Sequence, residues 1–358
     1  MDNIISNTAR PVLAAVPVPA TVPVPATVPV PARAPDPRLL AVTIIVAIFA
    51  LLPLVAAWIG QPFYIVLFSR IMVFGLAALG LNLILGFGAM VSLGHALYLG
   101  IGAYAVGILS SHGIDNGFIQ LAAGLGAGLA ASLLIGAVCL RTGGVAFIMI
   151  TLAFGQMFYF LMIGLKQYGG DDGLPLATRS AFGPLDLNGE MALYYTIFAV
   201  LMLTLLCFHR LIHARFGMVL RGCKANERRM RALGFPVLRY KLAAYVISAL
   251  VCVLAGMLLA NLTRFASPSY MQWALSGELI VMIVLGGIGT LVGPLVGALV
   301  WLVLEELFSV FQLGLPGNAD AFVRDHWMLL LGAFIVVVTL TLRRGLYGSL
   351  VEPKEKQQ

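Results

Sequence analysis

Five ionisable side chains sit inside long apolar runs: Arg70, His95, Glu278, Glu305 and Glu306. A charge in hydrocarbon is costly, so such groups face a cavity, water or each other. Two kinds of chemistry fit them. One is a polar lining along a substrate path. The other is a proton relay, for which His95 and Glu278 have the right types. Plainer roles compete at each position. Arg70 could reach to the outer interface along its aliphatic stem. Glu305 and Glu306 stand near the outer end of a helix, where water reaches them. Glu278 opens its helix, where the dipole favours a negative charge. His95 is the most interior, and a histidine bonded between helices suits it as well as a ligand does.

A second group is basic. Nine of the 22 Lys and Arg lie between Arg210 and Lys241. Wound as one helix, Arg215–Gly234 puts Val219, Cys223, Met230 and Leu233 on one face, and Arg221, Lys224, Arg228 and Arg231 on the other. Gly234 and Pro236 end it. Such a helix can rest on anionic headgroups or dock on a partner, and spacing does not choose between them.

Other chemistry is excluded. A phosphate-binding P-loop needs Gly-Lys followed by Ser or Thr, and none of Lys166, Lys224, Lys241, Lys354 and Lys356 is so followed. No nucleophile elbow or His/Glu metal motif occurs, and the four cysteines lack metal spacing. A chain with pI near 9.4 could bind nucleic acid. However, only 10% of residues are charged, 61% are hydrophobic and the mean hydropathy is +0.99, which is the composition of a membrane protein.

The elements that must hold these residues are membrane helices. Apolar runs predict spans at Leu39–Ile59, Phe63–Gly86, Val91–Ser110, Phe118–Leu140, Val145–Leu165, Met191–His209, Leu242–Leu262, Gly277–Gly289, Val292–Phe311 and Trp327–Leu342. The eighth is short and is broken from the ninth by Gly286-Gly287-Ile288-Gly289 and Gly293-Pro294. Broken membrane helices occur where they line a cavity or are shielded by protein. Gly289, Gly293 and Gly297, like Gly124 and Gly128, have the spacing that lets helices approach closely. With ten spans and both termini inside, Lys and Arg divide seventeen inside to four outside, as the positive-inside rule requires. Residues 1–38 repeat Val-Pro-Val-Pro-Ala and predict a disordered cytoplasmic tail. Residues 39–345 are then a transmembrane domain with a cytoplasmic loop at 210–241, and 346–358 a cytoplasmic C-terminal tail. The fold class expected is an all-α polytopic membrane protein.

Several ordered motifs carry a family resemblance. Gly80-Leu81-Asn82-Leu83-Ile84-Leu85-Gly86 followed by Val91-Ser92-Leu93-Gly94-His95-Ala96 is similar to the signature of bacterial branched-chain amino-acid ABC permeases of the LivM type. So are Thr151-Leu152-Ala153-Phe154-Gly155, Arg215-Phe216-Gly217, Ala225-Asn226-Glu227, Arg231-Ala232-Leu233-Gly234 and Val284-Leu285-Gly286-Gly287-Ile288-Gly289-Thr290. The likeness runs from about residue 65 to 345. Gly222-Cys223-Lys224 and the Pro-Val tail depart from it.

This resemblance implies a permease subunit of an ATP-driven importer in the bacterial inner membrane, working by alternating access. It implies as partners a homologous second permease, two cytoplasmic ATPases that use ATP and Mg, and a periplasmic binding protein. The chain itself would bind no cofactor. It gives the basic segment a role in coupling to the ATPases, through Arg221, Lys224, Ala225, Asn226, Glu227, Arg228, Arg231, Ala232, Leu233 and Gly234. Asn82, Ser92, His95 and Glu278 are the candidates for lining the path. Similar permeases serve urea or aromatic acids, and a proton-coupled secondary transporter or a non-transporting membrane scaffold are the readings from other classes.

Overall fold

The computed structural model describes residues 60–183, 185–310 and 327–341, with residues 43, 46–54, 56, 345, 346 and 348. The tail expected over 1–38, nearly all of that over 346–358, and parts of the first span lie outside the described residues. Eleven helices are named here: α1 (Phe63–Gly86), α2 (Ala96–Ser111), α3 (Gly117–Cys139), α4 (Val145–Gly164), α5 (Glu190–His213), α6 (Arg215–Ala225), α7 (Glu227–Ala232), α8 (Val237–Thr263), α9 (Trp273–Gly286), α10 (Gly293–Val310) and α11 (Trp327–Thr341). Five of them, α1, α3, α4, α5 and α8, are long and apolar enough to cross a membrane. The helices α2 and α9 are apolar but shorter.

Burial separates these helices into two kinds. The core is built on α8, which packs along both α1 and α2. By contrast α3 and α4 expose Phe118, Leu134, Val145 and Phe160, the surface a helix offers to lipid. Where helices meet most closely, backbone touches backbone. A Cβ on Gly256 of α8 would lie 1.8 Å from the Leu99 carbonyl oxygen, and one on Gly297 of α10 would lie 1.7 Å from that of Met282. Without a hydrophobic drive between helices in lipid, such close contact is a main source of their attraction.

Two ends of the bundle are distinct. At one end lie Gly86, the segment α6–α7, and the turn between α9 and α10. At the other end, β1 (Leu174–Pro175) pairs antiparallel with β4 (Phe265–Ala266), with Leu174 opposite Ala266. A second pair, β2 (Ala181–Phe182) with β3 (Leu185–Asp186), completes the polar stretch before α5. Arg179 fastens this stretch to α8: its guanidinium donates to the carbonyls of Asn261, Leu187 and Asn188 at 3.0–3.1 Å. The side chain of Asn261 accepts from the Ser180 N–H at 2.8 Å, and the Ser180 hydroxyl bonds Gln120 of α3.

Two sequence expectations are corrected. The third helix starts at Ala96, not Val91. Residues 87–95 instead leave the end of α1 and return to the level of Ser248, inside the bundle. The basic segment is two helices, not one. Asn226 breaks it with φ −160° and ψ 101°, and its side chain caps α7 by accepting from the Arg229 N–H.

Candidate functional site

Asn82, Ser92, His95 and Glu278 fall into three groups. Asn82, in the last turn of α1, is fully buried. Its Nδ2 donates to the Thr290 carbonyl at 2.7 Å, and its Oδ1 accepts from the Gly289 N–H at 3.1 Å. One amide thus satisfies two backbone groups of the α9–α10 turn. That turn has no helix to satisfy them, as a broken membrane helix requires. Gly289 adopts φ +76°, a conformation that suits glycine, and lies against Gly86.

Ser92 and His95 form a second group with Ser248 of α8. All three are fully buried. His95 Nδ1 is 2.9 Å from Ser92 Oγ, and Nε2 is 3.1 Å from Ser248 Oγ. Proton counting fixes the arrangement. The Ser248 hydroxyl donates to the Gly80 carbonyl at 2.6 Å, so it accepts from His95 Nε2–H. Nδ1 then accepts from Ser92, whose oxygen also accepts from the Gly94 N–H. This is a neutral histidine joining the start of α2 to α8 and, through Ser248, to α1. Tyr98 and Tyr245 flank the ring edge-on, and Tyr98 OH donates to Tyr245 OH at 3.0 Å. The Ser276 hydroxyl accepts from the Ala96 N–H, satisfying a first-turn donor of α2 from α9. His95 and Glu278 are not brought together as a relay would require; both histidine nitrogens are taken by serines.

Glu278 belongs to the third group, with Arg70 and Glu305. Sequence reasoning named these last two but did not join them. The Arg70 guanidinium is 3.4 Å from Glu305 Oε1, across the contact of α1 with α10. It also lies 5.7 Å from the centre of the Phe74 ring. Phe74 is one turn further along α1 toward Gly86, so the head group leans toward the middle of that helix. Glu278 stands on α9, which packs on both α1 and α10, the helices that carry this pair.

The basic segment is seated on the bundle. Val219, Cys223 and Val237 bury together, with Met230 and Tyr240 against them. Leu233 was expected on this face, but it is 64% exposed because the break at Asn226 redirects α7. Lys224 was placed on the polar face, and its ammonium bonds inward: Nζ donates to the Gly86 carbonyl at 2.7 Å. Arg221 donates to the Ile212 carbonyl at 3.2 Å, bracing α6 on the end of α5. Glu227 accepts from both Arg231 and Lys241. Burial alone would raise its carboxyl, but Lys241 and then Arg231 hold it below its ordinary 4.5. Arg228, Ala225, Asn226 and Ala232 are exposed, and Gly234 ends α7 with φ +85°. Burial also pushes the Cys223 thiol up. Among the described residues no group of His, Cys, Asp and Glu has the makings of a metal site.

Comparison with known proteins gives a consistent result. Residues 63–339 match the family model described as "Branched-chain amino acid transport system / permease component". The chain is 26% identical over 327 residues to the high-affinity branched-chain amino acid transport system permease protein LivM of Escherichia coli K12, covering 83% of this chain and 73% of that one. It is 27% identical over 293 residues to LivH, a permease protein similarly named, of the same organism, covering 77% and 91%. A fructose import permease protein, FrcC of Rhizobium meliloti, is 26% identical over 167 residues, covering 45% and 43%. No solved structure matches.

Proposed function

Because the chain belongs to the family of branched-chain amino acid transport permeases, and is thus a multi-pass membrane protein, we propose that it is the permease subunit of an ATP-binding-cassette importer. Its cargo on this reading is a branched-chain amino acid, as the names of the LivM and LivH relatives suggest. A second permease homologous to it completes the membrane path, since the chain is similar to both relatives. Two cytoplasmic ATPases supply the energy with ATP and Mg, and a periplasmic binding protein delivers substrate. The chain crosses the inner membrane about ten times with both termini in the cytoplasm, and it hydrolyses nothing itself.

The observation that carries this reading is the seating of α6 and α7. They hang between two long spans, α5 and α8, on the same end of the bundle as the α9–α10 turn. Their inner side is packed and hydrogen-bonded, while Arg228, Arg229 and Leu233 face outward. A lipid-resting helix would bury its apolar side in the headgroup layer. Here that side is already filled by Val237 and Tyr240. The outward surface is therefore free to receive an ATPase, and a push on it reaches α1 through Lys224. Alternating access follows if that push changes how α1, α9 and α10 pack.

Uptake of radiolabelled leucine into liposomes tests the proposal, with the chain reconstituted beside its companion subunits. Uptake should need ATP inside and loaded binding protein outside. Uptake that ignores ATP and follows a pH gradient would establish a proton-coupled transporter instead.

A further inference from the structure

Arg70, Glu278 and Glu305 come from three helices that pack on one another, α1, α9 and α10. Their depth can be read from helix geometry. α1 has 24 residues, and Phe74 lies about 16 Å along a helix of about 36 Å at 1.5 Å per residue. The guanidinium above that ring is therefore near the middle of the span. At this depth a structural ion pair would be expected to be closed off and neutral. This one is neither. The side chains of Arg70 and Glu305 are 43% and 27% exposed. The three groups formally carry one positive and two negative charges. Glu278 is partly buried, and among the described residues it has no hydrogen-bond or ion-pair partner. One turn deeper than Glu305 on the same face of α10, the Trp301 Nε1–H is buried and has no acceptor.

Resting on the importer reading above, we propose that Arg70, Glu278 and Glu305 form a station that binds the transported amino acid as a zwitterion. The site offers what both ends of that molecule need. An α-ammonium fits the two carboxylates, which outnumber the one guanidinium. An α-carboxylate fits the guanidinium, with the Trp301 N–H as a second donor. The aliphatic side chain then meets the apolar walls of α1, α9 and α10. A station at mid-depth, where the two helices that flank a broken turn meet a third, is where transporters place their substrates.

Labelling by dicyclohexylcarbodiimide, which reacts with carboxyls in apolar surroundings, tests this on the intact reconstituted transporter. Leucine should slow modification of Glu278 several-fold, read by mass spectrometry. 3-Methylbutylamine, which lacks the carboxylate, should protect more weakly. 4-Methylpentanoate, which lacks the ammonium, should not protect. Equal labelling with and without leucine would overturn the station. So would equal protection by 4-methylpentanoate. A variant decides independently: Glu278→Gln should lower leucine uptake at least tenfold in a complex that still assembles. Uptake within twofold of the parent would overturn the proposal. Exchanging the charges, Arg70→Glu with Glu305→Arg, should restore assembly but not uptake, because a zwitterion does not tolerate the reversal. Restored uptake would mean an ion pair that only holds helices together. If uptake by the parent needs no ATP, the importer reading fails, but the protection pattern at Glu278 still reports on the station.

Discussion

The ammonium of Lys224, on the basic helix α6, donates to the carbonyl of Gly86, the last residue of α1, at 2.7 Å. One turn earlier in α1, Asn82 holds the Gly289 N–H and the Thr290 carbonyl. The end of α1 is thus gripped from two sides, by the basic segment α6–α7 and by the turn that joins α9 to α10. Helix C-termini leave carbonyls unsatisfied and favour a cation, so Lys224 is both bond and charge complement.

Replacing Lys224 by Met should leave the transporter assembled but loosely coupled. ATP turnover should continue while leucine uptake falls several-fold, and Lys224→Arg should recover part of it. The ratio of leucine moved to ATP hydrolysed, in liposomes, is the quantity to measure.

Close packing gives a second expectation. Gly297→Ala would put a methyl 1.7 Å from the Met282 carbonyl oxygen, which only a shift of the backbone can relieve. Overpacking of this kind typically costs about 1–3 kcal/mol and at times more. A methyl at Gly126, on α3, meets nothing within 4 Å. Thermal unfolding in detergent should therefore show a clear loss for Gly297→Ala and none for Gly126→Ala.

The His95 group predicts a stability effect without a titration. His95→Leu removes a donor from Ser248 and an acceptor from Ser92, in a site where neither can turn to water. Loss of about 1–3 kcal/mol is expected, the cost of one stranded buried polar group, because Ser92 loses its acceptor while Ser248 still donates to the Gly80 carbonyl. His95→Gln, which keeps a donor and an acceptor, should recover some of it. The same thermal assay reads both.

Acid should loosen α7. The Glu227 carboxyl is held below 4.5 by Lys241 and Arg231, so its contribution is complete above that value. It is lost as the pH falls through the lower folded value. A nitroxide at position 229 should be ordered at pH 7 and grow more mobile as the pH is lowered below 4.5. With Glu227→Gln it should be mobile throughout.

Much of the helical frame was legible because period and length say so. Phe63–Gly86 was read to the residue, and most other boundaries fell within a few residues. The failures have physical causes. Val91 to His95 is apolar enough to read as helix. Yet Gly94 must lie against the Thr151 carbonyl, and Ser92 spends its oxygen on the Gly94 N–H, which is not a helical bond. The break at Asn226 had a signal, an N-capping residue followed by Glu227, that the amphipathic pattern obscured. The pairing of Arg70 with Glu305 spans 235 positions, and nothing local in a sequence records such a contact. The same holds for Arg179 and Asn261.

The most direct test of the importer reading puts a photo-activatable phenylalanine analogue at Arg228, which is exposed on α7. The chain is then purified in gentle detergent, and whatever is attached to it is identified by mass spectrometry. An adduct with a P-loop ATPase, co-purifying with a homologous permease, is the result expected. A chain that purifies alone, forms adducts only with lipid, and still moves leucine into liposomes without ATP would contradict it.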